Sequence, residues 1–352
     1  MKAIFFEQTG AIEHIRCGEL ASLKKVPPQE NEILIRFRAG SLNHLDLWVL
    51  RGLPSVKYTF PHIVGSDFCG EVVESKSSKF KVGDRVLVYP ATSSGKKKNG
   101  KPTPENLCED FRIRGENAPG IFCEQITISD RFVFHAPEHL NDSEAAAVPL
   151  VFVTAWQMVA EKAGINPETG PNQEPLLVHG AGSGVTQAIL ELLLSFGEKK
   201  IALTSRHASK LEAWKKRGIT TFILNETAKD EIKAWAGEER ISCIFDHVGQ
   251  SLFEMNIRLL KIGGKFITCG ATSGYEVPLD LRHLFFRQLQ LLGSTMGSLP
   301  AFAKMLDWIK QKKLRPKIFQ EFPWEKVASA FKVMDTASQD GKIVLLNTQK
   351  PS

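Results

Sequence analysis

Residues 176–185 read Leu-Leu-Val-His-Gly-Ala-Gly-Ser-Gly-Val, an apolar β-type run that ends in a glycine-rich turn. A strand that turns on glycines into a helix lets backbone N–H groups and the helix N-terminus hold a pyrophosphate, with glycine where the phosphate meets the main chain. Gly180, Ala181, Gly182, Ser183, Gly184 and Val185 form this candidate cradle. The strict G-x-G-x-x-G spacing is not met, because Val185 stands in the third glycine position, and alone such a turn is weak evidence. About 25 residues on, the next strand-like run ends in Thr204-Ser205-Arg206. An acidic residue there would hold an adenosine ribose 2′-OH and repel a 2′-phosphate. Two hydroxyls and a guanidinium, with Lys210 following, can bind and neutralise a 2′-phosphate, so NADPH is favoured over NADH. The plainer alternative is that Arg206 and Lys210 are solvated surface charges.

The surrounding pattern strengthens the dinucleotide reading. After a polar loop over 164–175, strand and helix signals alternate: strand 176–179, helix 186–196 with apolar Ala188, Ile189, Leu192, Leu193 and Phe196, strand 201–204, and helix 209–216. Strands 221–224 and 243–246, helix 252–260, and strands 265–269 and 289–292 follow. Six strands with intervening helices predict a doubly wound parallel sheet, with the glycine turn at its first strand-to-helix junction. The first 140 residues differ: short β-rich runs (32–38, 80–89) punctuated by Gly and Pro predict an irregular barrel. Between the two, Asn141-Asp142-Ser143-Glu144 supplies cap-type residues before a long apolar helical stretch, 145–160, interrupted by Pro149. The tail adds a Pro-containing strand-like piece, a helix over 324–334 and a final strand over 342–346.

With 352 residues, 43% hydrophobic and 24% charged, the chain is long enough for two ordinary globular domains. The net charge of +6 is spread out except at Lys96, Lys97, Lys98 and Lys101, which lie among Ser, Asn, Gly and Pro. No stacking aromatics interleave with these lysines, so they read as a solvated loop tip and not as a nucleic-acid site. The N-terminus reads as a strand with no leader pattern, and no run is apolar enough to cross a bilayer. The six cysteines are far apart and form no CxxC pair, which favours free thiols in a reducing cytoplasm.

The chain resembles the medium-chain dehydrogenase/reductase superfamily along nearly its whole length, and most closely its zinc-free, quinone-oxidoreductase-like branch. The resemblance rests on Ser41-Leu42-Asn43-His44-Leu45-Asp46-Leu47-Trp48, Gly65-Ser66-Asp67, Gly83-Asp84-Arg85-Val86, Thr154-Ala155-Trp156 and the glycine turn. Asp246-His247-Val248-Gly249, Cys269-Gly270-Ala271-Thr272 and Leu292-Gly293-Ser294-Thr295 follow in the same order. It implies a GroES-like irregular β-barrel catalytic domain (1–143 and 300–352) around a Rossmann doubly wound six-stranded parallel sheet (144–299), with the active site in the cleft between them. Thr154, His247, Val248, Gly270, Ala271, Thr272, Ser294 and Thr295 would then join the cofactor site, and homodimers would form through strand 289–292.

Zinc-dependent members of the superfamily hold a catalytic zinc with Cys, His followed by Glu, and a second Cys. Asn43, Ser66-Asp67 and Leu150 stand at the matching positions here, and Leu45 matches the proton-relay hydroxyl. The four-cysteine structural site falls on Ser94, Lys97, Gly100 and Cys108. These side chains do not supply zinc's donors, so the expectation is no metal. Without a Lewis acid, the expected chemistry is hydride delivery from NADPH to a quinone or an α,β-unsaturated carbonyl, whose developing oxyanion needs hydrogen-bond donors. By resemblance the catalytic residues are Asn43, Asp46 and Trp48: Asn43 as amide donor, Asp46 in the cleft or as a brace for Asn43 or Arg51, and Trp48 as a flat surface for a planar substrate. With a tryptophan where quinone reductases often have a tyrosine, a side-chain proton donor is less expected, which leaves water or a side chain to protonate the enolate. Of the histidines, only His44 is a candidate participant; His179 and His247 read as structural or cofactor-contacting, and Cys269 as a buried strand residue. The alternatives are a catalytically weak NADPH-binding regulatory protein on the same scaffold and, less favoured, a zinc alcohol dehydrogenase.

Overall fold

The computed structural model describes residues 1–54, 56–171 and 173–347. Residue 172, in the expected loop over 164–175, and residues 348–352, at the end of the second barrel segment, lie outside the described residues. The chain forms two compact units, Thr154–Met296 and a unit made from both chain ends, Met1–Val153 with Gly297–Ser352.

In the unit Thr154–Met296 six strands are hydrogen-bonded in one sheet: β1 (Leu176–His179), β2 (Ile201–Ser205), β3 (Thr220–Ile223), β4 (Ile241–Asp246), β5 (Leu260–Thr268) and β6 (Gln290–Gly293). Their order is β3-β2-β1-β4-β5-β6 and every neighbouring pair is parallel. Strands covered on both faces read as unbroken apolar runs, and all residues of β1, β2 and β4 are buried. Helices α1 (Gly184–Ser195), α2 (Ala228–Ala236) and α3 (Gln250–Leu259) accompany the sheet. Ile232 and Ala236 of α2, and Phe253 and Ile257 of α3, repeat at i, i+4 and bury one stripe of each helix in a core with Leu177, Ala202, Ile244 and Phe266. This is the doubly wound sheet expected from the sequence.

Several boundaries differ from the expectation for identifiable reasons. The helix expected over 209–216 is a 3-10 turn, Ala208–Lys210, followed by the short helix Glu212–Lys215. Helix α2 was not foreseen, since only Ile232, Ala236 and Ala228 of its nine residues are buried. Strand β5 starts at Leu260, the residue with which the expected helix 252–260 ends, and β6 starts after the buried Leu289. The single stretch 145–160 is broken into Asp142–Ala146, Pro149–Trp156 and a π-helical turn, Gln157–Ala163. Proline lacks the N–H that a continuous helix would need but suits a first helical position, so Pro149 opens a new helix. Likewise 324–334 is the 3-10 turn Trp324–Lys326 and the helix Val327–Asp335, and within 80–89 only Arg85–Val88 is a strand.

In the other unit Glu32–Ser41 is the central strand, pairing with Asp67–Ser75, Gln125–Ser129 and, from the far end of the chain, Lys342–Leu346. Register shifts at Leu34/Ile35 and Phe37/Ala39 bend it, as barrel curvature requires. Phe37 stacks on Trp324, ring centroids 5.1 Å apart, so both chain ends share this core. Among the described residues, no helix is long and apolar enough to cross a membrane.

Candidate functional site

All strands of the six-stranded sheet run parallel, so their C-terminal ends lie along one edge, and the expected cofactor residues follow those ends. Gly180 to Val185 follow β1, Thr204 to Arg206 end and follow β2, His247 and Val248 follow β4, Gly270 to Thr272 follow β5, and Ser294 and Thr295 follow β6. The order of strands reverses between β1 and β4, the switch point at which open α/β sheets take dinucleotides.

The first turn needs glycine at Gly180: its φ is +81°, and a Cβ there would come within 2.6 Å of His247 Nε2. Gly180 and Ala181 donate to Thr204 O at 3.0 and 3.2 Å, which fixes the turn beside the end of β2. Ser183 is the N-cap of α1 but makes no side-chain cap bond. The first N–H groups of this 12-residue helix therefore have neither a helical acceptor nor a cap from Ser183, as a phosphate site requires.

Below the turn lies a polar network that the sequence did not disclose. His179 Nδ1 meets Thr204 Oγ1 and His179 Nε2 meets Asn256 Oδ1, both at 2.7 Å. Thr186 Oγ1 donates to His179 O at 2.6 Å and faces His247 Nε2 at 3.2 Å. Burial pushes the His179 pKa down to about 4, so the ring is neutral and structural. Because Thr204 is fully buried and bonded to His179, it does not present a hydroxyl to a 2′-phosphate. Ser205 accepts from His207 N at 3.0 Å and can still donate its proton; Arg206 is exposed and Lys210 half-buried.

Across the edge, Thr272 N and Ser273 N donate to His247 O and Val248 O at 3.2 and 2.8 Å, joining the turns after β4 and β5. Asp246 Oδ2 accepts from Gly249 N at 2.8 Å, and burial pushes its carboxyl up to about 6. Ser294 Oγ is buried without a partner among the described residues, a hydroxyl available to a ligand. Thr154 Oγ1 approaches Met296 Sδ at 3.8 Å. The glycine cradle, the uncapped helix start and the Ser294 hydroxyl fit a nicotinamide dinucleotide.

In the other unit, Asn43 is the N-cap of the helix His44–Arg51. The Asp46 carboxylate reaches back to Asn43 N at 2.7 Å, the third residue of the helix bracing its start. Arg51 pairs with Asp335, which leaves Asp46 as the brace of Asn43. Burial pushes the Asp46 carboxyl up to about 7 against the N–H groups of Asn43 and Gly65. Trp48 is half-buried, one turn from His44, with ring centroids 6.1 Å apart.

The Asn43 side chain is held by two residues from distant strands. Asn43 Nδ2 donates to Asp67 Oδ2 at 3.0 Å and lies 3.5 Å from Ser41 O, while Asn43 Oδ1 accepts from Lys342 Nζ at 2.6 Å. Lys342 Nζ also meets Asp67 Oδ2 at 3.1 Å, and Asp67 Oδ1 accepts from Leu150 N at 2.7 Å. Lys342 and Asp67 are 5% and 0% exposed, so the pair is buried. Lys342 was missed by sequence reasoning. Its signal was a lysine opening the otherwise apolar run Lys342-Ile343-Val344-Leu345-Leu346, all buried but the last.

These positions do not fit a catalytic zinc. The Asn43 amide is committed to Lys342 and Asp67, Ser66 Oγ donates to Arg114 O at 2.5 Å, and Leu150 offers an alkyl chain. The structural-zinc positions do not fit either: Cys108 Sγ points at Thr103 O and Pro104 O, and Ser94 Oγ donates to Lys96 O. That lobe is tied instead by Asp110, which accepts from Ser93 Oγ and Ser94 N at 2.8 Å, and by Glu105, which holds Arg131 and Leu299 N. Lys98 in the basic loop pairs with Glu109. Cys269 lies one residue past β5 and is half-buried, not the buried strand residue expected; desolvation pushes its thiol up to about 12, unlike an activated nucleophile.

Residues 29–138 match the family described as alcohol dehydrogenase GroES-like domain, and residues 184–311 the family described as zinc-binding dehydrogenase. A quinone oxidoreductase of Homo sapiens is 25% identical over 327 residues, 91% of this chain and 90% of its own. A crotonyl-CoA carboxylase/reductase of Cereibacter sphaeroides is 24% identical over 331 residues, 85% of this chain and 76% of its own. The crystal structure of an NAD-dependent alcohol dehydrogenase superposes with a TM-score of 0.88 at 32% identity, covering 98% of this chain and 99% of that one. By sequence and by fold, the chain belongs to the medium-chain dehydrogenase/reductase superfamily, oxidoreductases that join a GroES-like domain to a Rossmann domain and use a nicotinamide cofactor.

Proposed function

We propose that the protein is a zinc-independent, NADPH-dependent reductase of quinones or α,β-unsaturated carbonyls. The observation that carries this reading is the Asn43 amide, bonded to Lys342 and Asp67 at a position where zinc-dependent relatives place a ligand. Support for the substrate class comes from the similarity to a quinone oxidoreductase and to a reductase named for crotonyl-CoA. The alcohol dehydrogenase likeness supports the scaffold, but the zinc-bound alkoxide on which that chemistry depends has no fitting donors here.

NADPH, when bound, supplies the hydride. The turn Gly180 to Val185 and the start of α1 hold its pyrophosphate; Ser205, Arg206 and Lys210 hold the 2′-phosphate. Thr154, His247, Val248, Gly270, Ala271, Thr272, Ser294 and Thr295 line the remainder. Asn43 donates an amide hydrogen to the substrate oxygen as negative charge builds on it, Asp46 braces the helix that carries Asn43, and Trp48 offers a flat apolar surface to a planar substrate. Water protonates the resulting enolate. Homodimers form through β6, an edge strand with Gln290 and Gly293 exposed.

The test is NADPH oxidation with a panel of quinones and enones, set against NADP⁺ reduction with primary and secondary alcohols. Turnover of at least one conjugated acceptor and none of the alcohols is expected. Alcohol oxidation with no acceptor reduction overturns the reading, and tight NADPH binding without turnover of any acceptor favours the regulatory alternative.

A further inference from the structure

We propose that Lys342 is a positioning residue that locks the Asn43 side-chain amide in one of its two orientations, so that an N–H and not the carbonyl is presented to substrate; the consequence for catalysis rests on the oxyanion role proposed for Asn43. An asparagine amide is nearly symmetric in shape, and a half-turn exchanges a donor for an acceptor. An oxyanion is stabilised by one orientation and repelled by the other. Here the two neighbours of the amide carry opposite charge. Lys342 Nζ, 2.6 Å from Oδ1, can only donate, and Asp67 Oδ2, 3.0 Å from Nδ2, accepts. A flipped amide would set its NH2 against an ammonium and its carbonyl against a carboxylate, losing two charge-assisted hydrogen bonds at once.

The third side of the arrangement is the direct Lys342–Asp67 contact at 3.1 Å, which closes a ring of three side chains. Asp67 is itself anchored by Leu150 N, and Asn43 N by Asp46. One amide hydrogen goes to Asp67; the other has only the 3.5 Å approach to Ser41 O, close to the limit of a hydrogen bond, and is the one left to serve a ligand. A buried ion pair is often replaceable by apolar residues without loss of stability. A lysine and an aspartate set among buried strand residues are better explained by the orientation they impose than by the stability they add.

The experiment combines a spectroscopic and a kinetic arm. In protein labelled with nitrogen-15, the Asn43 side-chain resonance is assigned by its loss in Asn43→Ala. Its two protons should be separated beyond the value of a free asparagine amide in wild type, because only one bonds a carboxylate; the separation should persist in Lys342→Arg and collapse toward the free-amide value in Lys342→Met, where nothing holds Oδ1 and the amide no longer stays fixed on Asp67. An unchanged pair in Lys342→Met overturns the proposal whether or not any substrate is turned over. On a working substrate, Lys342→Met should lower kcat roughly tenfold with KM changed less than about twofold. Lys342→Arg should restore most of that loss. The double variant Lys342→Met/Asn43→Ala should be no slower than Asn43→Ala alone, because Lys342 acts through Asn43. Multiplying losses would mean that Lys342 acts without Asn43 and refute the assignment. If Lys342→Met does not fold, Lys342→Met/Asp67→Asn removes both charges, and the same collapse is expected of it; a retained separation there refutes the proposal equally. Absence of turnover in wild type would instead reject the proposed function, with the spectroscopic arm unaffected.

Discussion

Arg206→Ala is the sharpest test of the cofactor assignment. Arg206 is the first residue beyond β2, it is exposed, and no ion pair holds it among the described residues. Its guanidinium is therefore free to meet a 2′-phosphate, and its loss leaves no buried carboxylate unpaired. A hydrogen bond to a charged group contributes about 1.5–3 kcal/mol, and solvent screening at an exposed site argues for the lower half of that range. We expect NADPH affinity to fall by about 1.5–2 kcal/mol, roughly 10- to 30-fold, with NADH affinity changed less than about twofold. On the proposed reading Ser205 and Lys210 would keep part of the phosphate contact in the variant, and Thr204, bonded to His179, none. The assay is titration calorimetry with both cofactors at fixed ionic strength; raising the salt should shrink the wild-type preference. Equal loss of both cofactors, or a wild type indifferent to the 2′-phosphate, would mean that Arg206 does not bind the 2′-phosphate.

Three further outcomes follow from the same geometry. Protein purified without chelator should carry well under one zinc per chain by elemental analysis and keep its activity after chelation; about one tightly bound zinc per chain would show that these side chains do form a metal site. Asn43→Ala should lower kcat at least about tenfold on a conjugated carbonyl substrate, and an unchanged kcat would remove Asn43 from the mechanism. His179 is a pH probe: unfolded, it takes up a proton near 6.5, whereas folded it does so only at about 4. Its contribution to stability is thus present above 6.5 and lost as pH falls through that window, on the order of 3 kcal/mol in all. Denaturant titrations of His179→Gln should show a flatter slope between pH 6.5 and 4 than wild type; an equal slope would reject this account.

The six-stranded sheet was legible because its strands are buried on both faces and so read as unbroken apolar runs: Leu176–His179, Ile201–Ser205 and Ile241–Asp246 need no alternation to be recognised. The glycine turn was legible because the backbone conformation at Gly180 excludes most other residues. Helix α2 was not, because its polar surface outweighs the narrow stripe of Ile232 and Ala236. The candidate site was half visible. Asn43 and Asp46 lie three residues apart at a helix start, a spacing that sequence displays directly. Lys342 is 299 residues from the amide it holds, and His179 is 77 residues from Asn256, so neither contact leaves a local signature. Thr204 was misread for the same reason, since its hydroxyl faces His179 and not the solvent edge.

The most direct measurement is the fate of the hydride. NADPH deuterated at the transferring position of the nicotinamide is turned over with an α,β-unsaturated ketone by protein stripped of metal with chelator, and the product is read by NMR. We predict one deuterium on the β-carbon of a saturated ketone, at a rate equal to that of untreated protein. Deuterium on the carbonyl carbon of an alcohol product, or activity that returns only when zinc is added back, would contradict metal-free delivery to a conjugated acceptor.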